Sequence, residues 1–228
     1  MKRTLTLGIG MTVILFFTSC QREESINIDQ NRIYTEYAYT YDSEKSQSIM
    51  EASFRLDNNG GKRIELSYPA RIAFDGENMS YRRTFGDYQI KRTGSMTNGS
   101  FIYTDLDGNA YENNISSIRP IELPFGLTRI NRNGNFFLPW TGDALQPGET
   151  VTVIIDPQGE GSNRTFTTSS TGATHIVLDE FKLGQIEPGF AKIEILRERS
   201  HSLTSAPLSG GRMEIKYKSR EVNIEITD

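Results

Sequence analysis

The chain has 228 residues, 36% of them hydrophobic and 24% charged, with a formal net charge of −4. Plentiful aromatic and branched side chains exclude intrinsic disorder, and the slightly acidic balance lacks the basic footprint of a nucleic-acid binder. A single cysteine excludes a disulfide scaffold and any zinc site built on several cysteines. The first element is an apolar run from Leu5 to Phe17, preceded by Lys2 and Arg3. A spanning helix needs roughly twenty apolar residues, and this run falls well short. Short length behind a basic start has the form of a secretory signal.

Thr18 and Ser19 then lead directly into Cys20. The segment Phe17-Thr18-Ser19-Cys20 resembles the lipobox of bacterial lipoprotein signals, with an aromatic where that family more often has leucine. The resemblance covers the leader alone. It implies diacylglycerol transfer to the Cys20 sulfur and cleavage before it, so residues 1–19 are expected to be a signal peptide. Acyl chains contribute roughly 0.8 kcal/mol per buried CH₂, and two or three of them make a durable membrane anchor. Residues 20–31 read as a lipidated tether. In that family aspartate after the cysteine favours the inner membrane of enteric bacteria, and Gln21 is not aspartate. Glu23-Glu24 also looks like the surface-export signal of Bacteroidetes lipoproteins. The resemblance therefore implies an outer-membrane lipoprotein, with the cell surface favoured over the periplasmic side.

Beyond Asn31 the pattern has period two, the signature of strands with one buried face. Ile33, Thr35, Tyr37, Tyr39 and Tyr41 share one face, and Met50, Ala52, Phe54 and Leu56 share another. Turn residues at 57–61, 75–76, 86–87, 98–99 and 107–109 punctuate the strands. Pro120 and Pro124 interrupt the alternation and mark a linker or domain edge. It restarts with Val151, Val153 and Ile155, continues with Ala191, Ile193 and Ile195, and ends with Met213, Ile215 and Tyr217. That last run is expected to form a hairpin with Val222, Ile224 and Ile226 across Ser219-Arg220. Short helices are expected over 43–50 and 178–183, the second capped by Gly184. The fold class is thus all-β, with two tandem immunoglobulin-like β-sandwiches, residues 32–119 and 120–228. One large β domain is the competing reading.

Sites of chemistry are sparse. His175 and His201 are the only histidines, and neither lies in a nucleophile motif. Phosphate-binding loops, nucleophile elbows and His-Glu-x-x-His helices do not occur, so no enzyme, no catalytic residue and no cofactor are expected. Two histidines in a secreted β protein raise axial haem ligation, in resemblance to Bacteroidetes haemophore lipoproteins. Asp105, Asp107 and Asn109 have the spacing of a calcium loop, but Gly108 and Ser116 break its pattern, and a hairpin turn explains the same residues. Tyrosines are concentrated between Tyr34 and Tyr111. The Tyr37-Tyr39-Tyr41 face is the candidate ligand or partner face, because a tyrosine offers an apolar ring with a wet tip; cross-strand packing is the competing explanation. Trp140 reads as core or domain interface. The expected function is a non-enzymatic, lipid-anchored envelope module that binds a partner protein or a glycan. The alternatives are a structural subunit resembling the fimbrillins of surface fibres, and a haem or calcium carrier.

Overall fold

Alternation of apolar and polar residues dictates the elements of the computed structural model, which describes residues 22–159 and 161–228. The expected signal peptide and Cys20 lie outside the described residues. In the first half the strands are β1 (Glu23–Glu24), β2 (Ile33–Asp42), β3 (Gln47–Leu56), β4 (Arg63–Glu65), β5 (Arg71–Phe74), β6 (Glu77–Asn78) and β7 (Ser80–Arg82). They are followed by β8 (Asp87–Thr93), β9 (Ser100–Thr104) and β10 (Ala110–Asn114). The second half holds β11 (Ile121–Glu122), β12 (Arg129–Asn131), β13 (Phe136–Pro139), β14 (Thr141–Gly142), β15 (Glu149–Pro157) and β16 (Arg164–Thr168). It ends with β17 (His175–Leu178), the one-turn helix α1 (Glu180–Leu183), β18 (Gly189–Ser202), β19 (Gly211–Lys218) and β20 (Val222–Thr227).

A 12-stranded sheet runs through the whole molecule in the order β1-β4-β3-β2-β19-β18-β15-β16. Its inner face is covered twice. Over the first half lies the sheet β10-β9-β5-β6, and over the second lie the pairs β11-β14 and β13-β17. Each covered region encloses a core, so the architecture is all-β and sandwich-like, as the alternation predicts. The first core is aromatic, with Tyr37, Tyr39, Phe54, Phe74, Phe101 and Tyr103 among its members. The second is built on Val151, Val153, Ile155, Ile193, Ile195 and Ile224. Tyr41 and Ile118 pack against both.

Topology departs from the sequence reading at the end of the chain. β19 and β20 do not form a hairpin. Both run antiparallel to β18, on the same edge and end to end, with Arg197 opposite Tyr217 and Ala191 opposite Ile224. The break at Ser219–Glu221 lets the strand change its second neighbour. β19 pairs in parallel with β2, and β20 pairs in parallel with β12. Ser219 is fully buried there; its backbone N–H donates to the Ile195 carbonyl, and its hydroxyl accepts from Ile195 N. Met213 and Ile215 thereby enter the first core, far from the rest of that core in sequence. Gly211 permits the entry, because a Cβ there would sit 2.3 Å from the Thr35 carbonyl oxygen.

Two further local expectations need correction. The segment expected as tether is largely folded onto the body. β1 pairs in parallel with β4, Ser25 is buried, and its hydroxyl accepts from Ser67 N. The region over 43–50 is not a helix. Asp42 accepts from Lys45 N and closes a turn, and Gln47 already begins β3. α1 does form near its expected place, with Asp179 accepting from Lys182 N at the start and Gly184 at the end. The Asp75-Gly76 turn joins β5 and β6 as a two-residue hairpin loop with φ values of 48° and 81°, the double left-handed conformation such loops favour.

Candidate functional site

One rung of the large sheet crosses the seam between the two cores. From the second half to the first it reads Val151, Arg197, Tyr217, Tyr41, Ser48. Tyr217 and Tyr41 lie side by side on neighbouring parallel strands, ring centroids 5.5 Å apart and tilted by 53°. The sheets covering the two cores leave this rung partly open, and a crevice results. It consists of two hollows that share Tyr41 and Tyr217. The larger, of about 490 Å³, is bounded by Met96 and Thr97 from one loop and Ser117, Arg119 and Pro120 from the linker. The smaller, of about 410 Å³, is bounded by Ser43, Ser46, Glu122 and Arg220. Both volumes fall in the range of roughly 300–1,000 Å³ of small-molecule sites.

Each wall is fixed by specific bonds. The Tyr39 hydroxyl accepts from Met96 N at 2.9 Å and donates to the Met96 carbonyl at 3.1 Å, tying that loop to the crevice floor. Tyr217 donates to Glu122 Oε1 at 2.8 Å. Burial, followed by the hydrogen bond and charge of Glu122, pushes the Tyr217 phenol up to about 12. Arg119 reaches Glu149, which is buried, and Asp143, each at 3.3 Å. Behind it the fully buried Arg197 donates through Nη2 to the Asp143 carbonyl, while its Nε and Nη1 have no partner. Burial holds its pKa below the ordinary arginine value. Ser43 is 7% exposed, and its hydroxyl has no hydrogen-bond partner although it lines the smaller hollow. Among the described residues, Arg220 makes no ion pair and stands exposed at the rim.

The structure divides the expected tyrosine face. Tyr37 is a core residue, 2% exposed and stacked on Phe101 with ring centroids 4.7 Å apart, so it presents no face to a ligand. Tyr39 is equally buried and reaches the crevice only as its floor. Tyr41 is half-buried and lines both hollows. The physical reason is that the shared face of β2 is the inner one: alternation identifies a common face without saying which side the second layer covers. Nothing in the sequence marks Tyr217, Glu122, Arg119, Arg220 or Ser43 as site residues. Tyr217 reads as part of a hairpin because its parallel pairing with β2 depends on contacts some 175 residues apart in the chain.

The other candidates do not converge on a site. His175 stands on β17 of a two-stranded sheet, opposite Pro139 and against Phe137. His201 lies near the far end of β18, opposite Met213. Asp105 is buried and accepts from the backbone and side chain of Asn109 and from the Tyr111 hydroxyl, closing the turn between β9 and β10. Trp140 belongs to the second core, its indole donating to the Asp143 carbonyl. Among the described residues no group of three or more His, Cys, Asp or Glu side chains is placed to hold a metal ion. No helix among them is long and apolar enough to cross a membrane.

No protein-family model and no curated protein matches the sequence. Distant similarity exists to solved structures. A tetra-tandem repeat from the extending region of a large adhesion protein overlaps 85% of this chain and 49% of its own, with 12% identity and a TM-score of 0.27. The chicken CNTN1 FN1-FN3 domains overlap 84% and 67%, with 10% identity and a TM-score of 0.29. A 1.5-MDa bacterial ice-binding adhesin overlaps 86% and 65%, with 15% identity and a TM-score of 0.23. The chain spans about half the length of the first of these structures. Overlaps this loose do not establish a shared topology, and the fold class rests on the sheets and cores themselves.

Proposed function

We propose that this chain is a lipid-anchored envelope protein that binds a partner protein or a glycan, without catalysis, in the crevice at the seam. The observation that carries the binding reading is the crevice itself, where two tyrosines from distant parts of the chain meet beside an unpartnered buried hydroxyl and a free arginine. Its carboxylate, Glu122, is engaged by Tyr217. Glu122, Tyr217 and Arg119 are committed to holding the walls, which suits recognition.

The anchoring reading rests on the leader and on Cys20, its acylation site. With β1 starting at Glu23, only Gln21 and Arg22 separate Cys20 from the folded body. Two extended residues reach about 7 Å, so an acylated Cys20 would hold the first half close to the membrane surface. The proposed location is the outer membrane, facing the cell surface.

Two experiments on cells producing the full chain test this function. Feeding an alkyne-tagged fatty acid should label the protein, and Cys20→Ser should abolish the label and release the protein from membranes. Chemical crosslinking of intact cells should join the protein to an envelope component in a manner that Tyr41→Ala diminishes. A labelled Cys20→Ser variant would overturn the anchor, and crosslinks indifferent to Tyr41 would overturn the crevice.

A further inference from the structure

The lining of the crevice limits what can fill it. Around the smaller hollow stand one carboxylate, Glu122, and one cation, Arg220. Arg119, in the larger hollow, is already engaged by Glu149 and Asp143. The ionised groups balance, so a charged ligand gains no net attraction there. Ser43 lines the hollow, and its hydroxyl, buried beside the Tyr217 phenol, has no partner in hydrogen-bond geometry. A buried hydroxyl left unpaired is costly, and a turn of the side chain toward a ligand hydroxyl in the hollow would satisfy it. The half-buried ring of Tyr41 supplies an apolar surface beside these polar groups, with Tyr217, only 9% exposed, packed against it.

A fitting ligand must therefore donate to Glu122, accept from Arg220, exchange a hydrogen bond with Ser43, and lay an apolar face on Tyr41. A purely apolar ligand would desolvate Glu122 and leave Ser43 unpaired. An extended peptide usually binds by adding to an open strand edge. β2 and β19, which supply Tyr41 and Tyr217, are each paired on both sides. A pyranose ring has the required constitution: hydroxyls that donate and accept, and C–H faces that stack on aromatic rings.

We infer that the seam crevice binds a neutral oligosaccharide. One sugar lies against the ring of Tyr41 with its hydroxyls toward Ser43, Glu122 and Arg220, and a neighbouring sugar occupies the hollow beside Thr97 and Ser117. This inference rests on the crevice being the binding site proposed above, and it replaces the open choice between protein and glycan.

The test applies the full chain, extracted from membranes in detergent, to an array of neutral and acidic oligosaccharides. The strongest binder is then titrated against variants. Neutral oligosaccharides of two or more sugars should be retained. Tyr41→Ala should weaken binding about tenfold, in line with the worth of an aromatic stacking partner. Ser43→Ala and the rim variant Arg220→Gln, which leaves the packed interior untouched, should each weaken it by roughly threefold to tenfold. Tyr68→Ala, at a tyrosine 94% exposed and outside the crevice, should leave binding unchanged. A preference for acidic sugars, or binding indifferent to both Tyr41→Ala and Arg220→Gln, would overturn the inference. An empty array together with Tyr41-dependent crosslinks to a protein in intact cells would overturn the saccharide and leave the crevice reading standing. An empty array with Tyr41-independent crosslinks would overturn both.

Discussion

The two cores solve the same packing problem with different chemistry. In the first, aromatic rings do most of the filling: Tyr37 stacks on Phe101, Phe74 meets Phe101 edge-on, and Phe54 contacts both Tyr88 and Tyr103. In the second, branched aliphatics from β15 and β18 interdigitate, and its tyrosine, Tyr217, sits at the seam. Aromatic filling brings phenol groups inside, and they are treated unequally. Tyr39 and Tyr88 find backbone partners at Met96 and Leu66, whereas the hydroxyls of Tyr37 and Tyr103 are buried without one. The first half is therefore the part whose stability depends more on protonation, with Tyr37, Tyr88 and Tyr103 against Tyr217 alone at the seam, and the second is governed mainly by shape and apolar area. A single strand segment, β19, serves both regions at the seam.

The strongest way to break this comparison is to remove β19 and β20. A chain ending at Ser202 is expected to lose the protection of β2 as well as of β18, because β2 pairs with β19 along eight residues. Hydrogen exchange that leaves β2 and β3 protected in the truncated chain would contradict the shared strand. At single-residue scale, Ile215→Ala is expected to cost about 2–5 kcal/mol, the usual range for emptying a fully buried aliphatic position. Its exchange footprint should fall on the first core, despite the residue's place near the end of the chain. Ile193→Ala should cost a similar amount and loosen the second core instead.

Alkaline titration sharpens the chemical difference. Burial pushes Tyr88 up to about 12 and raises Tyr37 and Tyr103 further. Unfolded tyrosine titrates near 10, so between pH 10 and about 12 the unfolded chain releases protons that the folded chain keeps, and stability falls as pH rises. Each buried phenol contributes a slope of about 1.4 kcal/mol per pH unit over that window. Chemical denaturation followed by exchange at pH 8, 10 and 11 should find the first half weakening before the second. Equal loss in both halves would mean the phenols do not govern the difference.

How much of this was legible in the sequence follows from the range of the interactions involved. Alternation in β2, β3 and β15 depends only on neighbouring residues, and it identified strands and the shared faces. The Asp75-Gly76 turn was legible for the same reason, since its conformation is set by two residues. Parallel pairing of β19 with β2 leaves no local mark, and so the end of the chain read as a hairpin. The crevice inherits that blindness: the tyrosine alternation on β2 marks Tyr41, while nothing local marks its partner Tyr217. Residues 20–31 read as a lipidated tether because the contacts that fold its later part onto the body, Ser25 to Ser67 and β1 to β4, come from residues about forty positions away.

Smaller effects test the seam and the outer face. Tyr217→Phe removes the bond to Glu122 and should cost about 1 kcal/mol, the net worth of a typical hydrogen bond. On the solvent side of the large sheet, Glu36 accepts from Arg55 at 2.8 Å and Arg212 at 3.0 Å, linking β3 to β19 across β2. Glu36→Gln is expected to cost no more than about 1 kcal/mol, and to cost less at high salt, because such pairs are screened by solvent and ions. A larger effect than that of Tyr217→Phe would place the coupling of the halves on the outer face instead of at the inner rung.

The most direct test of binding at the seam is to place a photo-crosslinking amino acid at Thr97 in one variant and at Phe190 in another, and to irradiate intact cells. Both positions are exposed. Thr97 borders the crevice. Phe190 lies seven residues from Arg197 along β18, about 23 Å away from the seam. Covalent capture of an envelope component from Thr97 and not from Phe190 is the expected result. Capture from Phe190 alone would move the binding surface to the far end of the second half and contradict the seam as the site.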